Sequence, residues 1–413
     1  MFIAGHGHGP GGGWALTSDR FVIVGAGIVG LATAREIRHR HPDATVTVVD
    51  KELQVGRHQT SHNSGVVHAG LYYPPGSLKA RLCTRGRRLL QEFCESRDLP
   101  YEECGKLVIA STAEELPALR EIEARADANG VRGLRWLTGA DLNEIEPHAA
   151  GVAALHSPHT AIVDFSKVAQ AMAVDLDVRL GFEVTGFRTA GPEVVVASPA
   201  GELPADRVVV CAGLQADRVA RLAGDQAGPA IVAFRGEYWR LVPERTQLVK
   251  GLIYPVPDPA YPFLGVHFTR RVGGVVDVGP NAVLALAREG YRRRDIQPAD
   301  VRETLAWPGF RRMAGRHWRP GLRELRGSLS KRAFIAEARR LVPAVTTADV
   351  VPAPAGVRAQ AVDADGTLVD DFRIGSAAGS DRVVTVRNAP SPGATSSLAI
   401  AEYLVDEVDK ALV

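Results

Sequence analysis

Three glycines in Gly25-Ala26-Gly27-Ile28-Val29-Gly30 stand at the spacing of a dinucleotide-binding turn. The run Phe21-Val22-Ile23-Val24 precedes them as a short apolar strand, and Leu31 to Arg40 follows with helical spacing. In that context Gly25 permits the tight turn, Gly27 lets backbone approach a pyrophosphate, and Gly30 lets the helix pack closely on the sheet. Ile28 and Val29 open the helix, where backbone N–H groups and the dipole favour an anion. Asp50 closes a second buried strand, Val46-Thr47-Val48-Val49, where its carboxylate can take the ribose hydroxyls of an adenosine. Lys51 stands at the same strand end and joins the candidate contacts. This is a β-α-β unit of about thirty residues, the length a parallel crossover needs.

The glycine pattern alone fits NAD as well as FAD. An NAD domain would continue with successive β-α units, whereas here Asp50 runs into the small, polar stretch Arg57 to Gly70. Thr60, Ser61, Asn63, Ser64, Gly65 and Val66 in that loop suit an extended cofactor whose ribityl and ring atoms need backbone contacts. The expected cofactor is therefore FAD. Val184, in the strand-like Glu183-Val184-Thr185, would offer its backbone to the adenine.

The elements that must position these residues follow along the chain. Helical spacing recurs over Ser77–Arg97, Glu114–Asn129, Asp164–Asp175, Pro298–Ala306, Lys331–Leu341 and Thr395–Leu412, with Asp164 or Ser166 as an N-cap. Strand-like runs occupy Lys106–Ala110, Glu193–Ala197 and Arg207–Cys211, and Ile231 to Val278 carries short β-type runs rich in Pro, Gly and aromatic residues. The chain shows no internal repeat.

At 413 residues the chain exceeds one average domain, so two interleaved domains around one cofactor are expected. Its 46% hydrophobic and 23% charged content is that of a soluble globular protein with a substantial core. A net charge of +2, with basic residues spread along the chain, leaves no footprint for nucleic acid. Arg292 to Arg294 and Arg311 to Arg326 read as solvated faces, with an anionic membrane surface or an acidic partner as the alternative. Cys83, Cys94, Cys104 and Cys211 form no C-x-x-C pair, so neither a zinc site nor a disulfide framework is expected and a reducing compartment fits. No metal site is assigned. No apolar stretch approaches the ~20 residues of a spanning helix. Met1 to Gly13 has no apolar core of a signal peptide, and residues 1–18 read as a disordered tail. A cytoplasmic setting is expected, with peripheral contact at the inner membrane as the alternative.

The segment His58-Gln59-Thr60 to Gly70-Leu71-Tyr72-Tyr73, with Pro75-Gly76-Ser77-Leu78-Lys79-Ala80, resembles the L-2-hydroxyglutarate oxidase/dehydrogenase family of D-amino-acid-oxidase-like flavoproteins. The resemblance continues through Cys104-Gly105-Lys106, Phe234 to Tyr238, Ile253 to Pro259, Gly265-Val266-His267, Val278 to Val283, Ala355 to Gln360 and Asn388 to Pro392. It covers nearly the whole chain in order. It implies an α/β fold: a doubly wound, Rossmann-like FAD domain with an inserted antiparallel-sheet substrate domain (α+β). The expected division is 19–82, 150–225 and 342–413 for the FAD domain and 83–149 and 226–341 for the substrate domain. The implied reaction oxidises L-2-hydroxyglutarate to 2-oxoglutarate by hydride transfer to flavin N5, with electrons passed to oxygen or a quinone-linked membrane chain. The partner is thus a small 2-hydroxy dicarboxylic acid.

Such a reaction needs cations for the carboxylates and an acceptor for the hydroxyl proton. Arg358 looks like the arginine that grips the α-carboxylate, because its planar fork matches a carboxylate and stays charged when enclosed. Arg235 and Tyr238 are candidates for the distal carboxylate. His68 is the leading candidate for the base, since an imidazole titrates in the useful range, and His267 competes with it. His62 reads as a loop-organising hydrogen-bond partner. Ala212 and Gly213 resemble a second FAD-contacting turn. Ser391, Gly393, Ala394 and Thr395 lead into the last helix, whose N-terminus would face the flavin edge that gains negative charge. The rival readings are oxidation of another 2-hydroxy acid, of an amino acid or amine, and a flavin-binding protein without turnover.

Overall fold

In the strand Arg20–Val24, successive side chains feed two different cores, as the period of two demands. Phe21 and Ile23 pack with one set of apolar residues, Val22 and Val24 with another. The computed structural model describes residues 19–225, 228–257, 265–377 and 380–410, so the tail expected over 1–18 lies outside the described residues. The strand sits inside a six-stranded sheet, between Arg207–Val210 and Thr45–Asp50. Asp177–Leu180 extends one side in parallel, Ser380–Asn388 the other, and Arg373–Ala377 closes that edge antiparallel. Helices Ile28–Arg40, Leu78–Ser96, Phe165–Ala173 and Ser397–Lys410 cover one face through Leu31, Leu90, Phe165 and Leu404. The opposite face is covered by a three-stranded antiparallel sheet, Gly186–Ala190, Glu193–Ser198 and Gly201–Ala205. Buried on both faces, the parallel strands read as continuous apolar runs.

A nine-stranded sheet forms the second layer system. Its long axis is the strand Ala230–Leu241, paired antiparallel with Val350–Val362 over most of its length. Val276–Gly279, His267–Arg270, Leu252–Pro255, Lys106–Ala110 and Ala153–Ser157 follow in order, all antiparallel except the parallel pair Leu252–Pro255 with Lys106–Ala110. The helix Lys331–Ala338 packs Phe334 and Ile335 on this sheet. A small sheet of Val66–Val67, Ala161–Val163 and Tyr101–Glu103 bridges the two systems.

Three elements cross the expected divisions. Ala153–Ser157, beyond the boundary at 150, lies in the nine-stranded sheet. Leu78–Ser96, which spans the boundary at 83, packs whole on the C-terminal helix, where a Cβ on Gly86 would come within 2.5 Å of Ser396 Cα. Val350–Val362, beyond 342, belongs to the nine-stranded sheet. Hydrophobic period identifies an element but does not say which core receives it. The expected short runs after Ile231 include a twelve-residue strand, and the Arg-rich stretch is two helices, Pro308–Arg316 and Trp318–Leu329.

A buried ion pair joins the two layer systems. Asp217, on the helix Ala216–Leu222, binds Arg288 with both partners only 4% exposed at the side chain. Arg288 Nη2 donates to Asp217 Oδ2 at 2.9 Å, and the Ile231 amide donates to the same oxygen at 3.1 Å. Removing one partner of such a pair strands the other charge. Asp217→Ala should therefore cost about 3–5 kcal/mol, read as a lower urea midpoint at unchanged slope. Asp217→Leu combined with Arg288→Met should recover much of that loss; an unmoved midpoint in the single variant would show that the pair carries no weight.

Candidate active site

A cavity of about 890 Å³ opens at the carboxyl ends of the parallel strands and runs to the long strands of the larger sheet. Gly25, Gly27, Ile28 and Val29 form its floor. Gly27 is the N-cap of the first helix and supplies no side-chain cap, so the helix N-terminus faces the cavity, with only the Ile28 amide bonded to Thr60 Oγ1 at 3.1 Å. Gly25 has φ +111°, and a Cβ there would strike the Cys211 carbonyl. A Cβ on Gly27 would meet nothing closer than Thr60 Oγ1 at 3.5 Å, so its open side is the cavity. Gly30 does not line the cavity; a Cβ there would strike the Gly25 carbonyl, which makes it a packing residue.

Asp50 is held in place by the Ala26 amide on Oδ2 at 2.7 Å and the Glu52 amide on Oδ1 at 2.9 Å. A carboxylate accepts about four hydrogen bonds, so capacity remains for ligand hydroxyls. Lys51 lines the same wall, bonded to Glu52 and, at 2.8 Å, to Glu289. Glu52, His58 and Glu289 have metal-ligand proximity, but the Lys51 ammonium already sits among them. Burial works against the Glu52 charge, and Lys51 and His58 nonetheless hold its carboxyl below the usual range.

Thr60, Asn63, Ser64 and Val66 line the cavity, whereas Ser61 and Gly65 build the loop behind it. Ser61 Oγ donates to the Gly56 carbonyl at 2.6 Å, and the Gly65 amide donates to Asn63 Oδ1 at 2.8 Å. His62 also lines the wall, stacked on Tyr291 at 4.0 Å, with Nδ1 3.0 Å from the His58 carbonyl. Val184 lines the cavity from an extended segment outside any strand. Ala212, Gly213, Ser391, Gly393, Ala394 and Thr395 line it too. Thr395 Oγ1 accepts from the His68 amide at 3.1 Å and contacts the Val66 carbonyl at 3.3 Å, tying the loop to the last helix. These surfaces fit FAD: an open helix N-terminus for phosphates, a carboxylate at a strand end, and a polar loop along the ring.

At the far end Arg358, Tyr238 and His68 converge on the cavity. Arg358 stands opposite Phe234 in the long strand pair, and Gly356 lets that strand approach the loop, because a Cβ there would lie 2.6 Å from the His62 carbonyl. Burial opposes the Arg358 charge, with Asp370 and Tyr73 acting the other way. Burial pushes the Tyr238 hydroxyl up to about 12. His68 Nε2 lies 3.5 Å from Ser391 Oγ. Burial, then the charges of Lys106, His267 and Lys79, push His68 down to about 3, so its imidazole is unprotonated throughout the neutral range instead of titrating near 6.5.

Two sequence candidates lie elsewhere. Arg235 does not line the cavity; its guanidinium donates to Glu237 at 3.0 Å and to the Arg292 carbonyl at 3.1 Å. Alternation along the strand carries it to the face that holds Glu237's network. His267 also stands off the cavity, stacked on Tyr254 at 3.9 Å with Nδ1 2.7 Å from the Gly265 carbonyl. Sequence reasoning gave no role to Lys106, a buried ammonium 3.7 Å from the Tyr254 ring centroid. Its signal was a cation at the head of an otherwise apolar strand.

The family model described as FAD dependent oxidoreductase matches residues 20–407. The chain is similar to the human mitochondrial L-2-hydroxyglutarate dehydrogenase, at 43% identity over 97% of this chain and 91% of that protein. It is 44% identical to an L-2-hydroxyglutarate dehydrogenase of Indibacter alkaliphilus, over 92% of this chain and 96% of the relative. Among solved structures it is similar to the L-α-glycerophosphate oxidase of Mycoplasma pneumoniae, with a TM-score of 0.76, 20% identity and 95% of each chain covered. It is likewise similar to the glycine oxidase of Geobacillus kaustophilus, with a TM-score of 0.70, 20% identity and 95% of each chain covered. At those identities the solved structures show the fold alone.

The two inner glycines should fail differently. Gly27→Ala should leave the stability of FAD-free protein unchanged while weakening FAD binding at least about tenfold, or 1.4 kcal/mol. Gly30→Ala should lower the thermal midpoint with and without FAD. Flavin retention on gel filtration and thermal melts separate the two; equal melts with equal retention would reject the division of roles.

Proposed function

The chain belongs to the family of FAD-dependent oxidoreductases, and from that premise we propose that it oxidises L-2-hydroxyglutarate to 2-oxoglutarate. What supports this reading beyond similarity is one cavity in which the dinucleotide cradle, Arg358 and His68 meet. Bound FAD would supply the two-electron acceptor for the hydrogen leaving C2. The guanidinium of Arg358 binds the α-carboxylate in bidentate fashion and so fixes the orientation of C2. The unprotonated imidazole of His68 takes the hydroxyl proton. Tyr238 lines the wall beside them.

For the acceptor, the reading favours a membrane chain over dissolved oxygen. Among the described residues no helix is long and apolar enough to cross a membrane. The helix Trp318–Leu329, however, exposes Trp318, Leu322, Leu325 and Leu329, from 47% to 72% exposed, at the spacing of one face. Arg319, Arg323 and Arg326 share the helix, and Arg311, Arg312 and Arg316 lie on the one before. An apolar stripe flanked by arginines suits the surface of an anionic bilayer.

L-2-Hydroxyglutarate should bleach bound flavin much faster than the D enantiomer, L-lactate or an amino acid under anaerobic conditions. Equal rates with lactate would make the substrate class too narrow, and an amino acid preference would change the reaction. His68→Ala should slow reduction on the order of 10²–10⁴-fold with little change in KM, whereas His267→Ala should not. In kcat/KM, no acid limb from His68 should appear between pH 7 and pH 5, because its proton binds only near pH 3. Arg358→Ala should raise KM, costing about 2–5 kcal/mol.

Vesicles containing phosphatidylserine should co-sediment the protein, and Leu322→Glu with Leu325→Glu should release it while dye-coupled turnover stays unchanged. Sedimentation that is equal for the variant, or absent for the parent, would reject this face as the docking surface.

A further inference from the structure

The reaction proposed above needs a cation for the carboxylate farther from C2, and Arg235 is already spent on Glu237. Lys106 opens the strand Lys106–Ala110 and is only 2% exposed. Its ammonium lies 3.7 Å from the ring centroid of Tyr254 and 4.7 Å from that of Tyr72. Both contacts are with ring faces, which attract a cation without accepting its N–H groups in the manner of an oxygen. Among the described residues no hydrogen bond or ion pair joins Lys106 to a partner, while the other buried ammonium nearby, Lys79, is held by Asp370 at 2.7 Å. The Tyr72 hydroxyl is buried as well and has no hydrogen-bond partner. Buried polar groups are ordinarily satisfied, and a buried charge is ordinarily paired. Two such donors, the ammonium lying over the ring that carries the hydroxyl, therefore describe a place for an anion.

The position is also right. Tyr254, under the ammonium, stacks on His267, and the Lys106 charge acts on His68, which lines the cavity with Arg358. Lys106 and Tyr72 stand behind the lining residues, and His68 is the lining residue that feels the Lys106 charge.

We infer that the Lys106 ammonium and the Tyr72 hydroxyl bind the distal carboxylate of the dicarboxylic substrate, and so set the preference for a diacid. The inference rests on the reading of the reaction given above. Burial pushes Lys106 down to about 7. The groups facing it are Tyr72, Tyr254, His267 and His68, and no carboxylate of a described residue acts on it. Binding of the diacid should therefore weaken as pH rises through about 7, because the neutral amine no longer attracts it.

The test compares FAD-loaded parent, Lys106→Met and Lys106→Arg on L-2-hydroxyglutarate and L-2-hydroxypentanoate, which carries a methyl group where the diacid has its second carboxylate. Lys106→Met should lower kcat/KM for the diacid on the order of 10²–10³-fold, mainly through KM, and cause no such loss for the monoacid. Lys106→Arg should restore part of the loss, and the fall of diacid kcat/KM above pH 7 should vanish in Lys106→Met. Equal losses for both acids, or an unchanged ratio, would overturn the assignment. Glutarate, which has no hydroxyl to oxidise, separates this inference from the reaction itself. Its perturbation of the flavin absorption should weaken 10²–10³-fold in Lys106→Met. Lost glutarate binding with no oxidation of L-2-hydroxyglutarate by the parent would keep Lys106 and discard the reaction; unchanged glutarate binding with normal oxidation would do the reverse.

Discussion

Backbone meets backbone at the first turn of the parallel sheet, and the cavity depends on that approach. Gly30 rests on the Gly25 carbonyl, and Gly25 on the Cys211 carbonyl, at distances no Cβ could share. Three segments, the ends of two strands and the start of a helix, are thereby brought to one point. The Gly25 amide donates to the Val49 carbonyl at 2.8 Å and the Cys211 amide to the Val24 carbonyl at 2.7 Å, so the strand ends stay in register while the helix N-terminus is left open. An anion site of this kind costs nothing in side chains; it is made of N–H groups that the helix cannot satisfy itself.

The larger sheet brings its two longest strands to the cavity, at the end proposed for the substrate. Ala230–Leu241 and Val350–Val362 carry Tyr238 and Arg358 to the cavity, and Gly356 lets the second strand approach the loop 57–70 at the His62 carbonyl. Rigid sheet positions suit groups that must hold a carboxylate in one orientation. The loop itself is stiffened from within, through hydrogen bonds of Ser61, His62 and Asn63 to its own backbone, which fix the residues that line the cavity.

Much of this was legible in the sequence where local chemistry decides. The glycine turn, Asp50, the N-cap Asp164 and the strand Lys106–Ala110 are read from spacing and residue type, and the Asp164 side chain does accept from the Ser166 and Lys167 amides. Placement across the two cores was not legible. Arg235 and Tyr238 are three residues apart on one strand and so face opposite ways, Arg235 falling to Glu237 while Tyr238 reaches the cavity. His267 competed with the leading candidate His68, and the structure holds it off the wall through stacking on Tyr254 and the contact with the Gly265 carbonyl. Lys106 could not be singled out, because a cation at a strand head is ordinarily solvated, and only the tertiary packing of Tyr72 and Tyr254 over it removes the water.

On the proposed reading, charge links recognition to chemistry at the substrate end. Burial and the neighbouring cations together hold His68 far below the basicity of a free imidazole, which makes it a weak base before anything binds. Of those influences, burial is permanent, but the field of Lys106 is not. A carboxylate placed on Lys106 offsets that charge, and one placed on Arg358 adds negative potential beside the same imidazole. Both changes favour the protonated form of His68 and so strengthen it as a proton acceptor when the diacid is in place. A monoacid would provide only one of them. The same ammonium that selects the diacid would then tune the base, and a ligand without the second carboxylate would meet both a weaker grip and a weaker base.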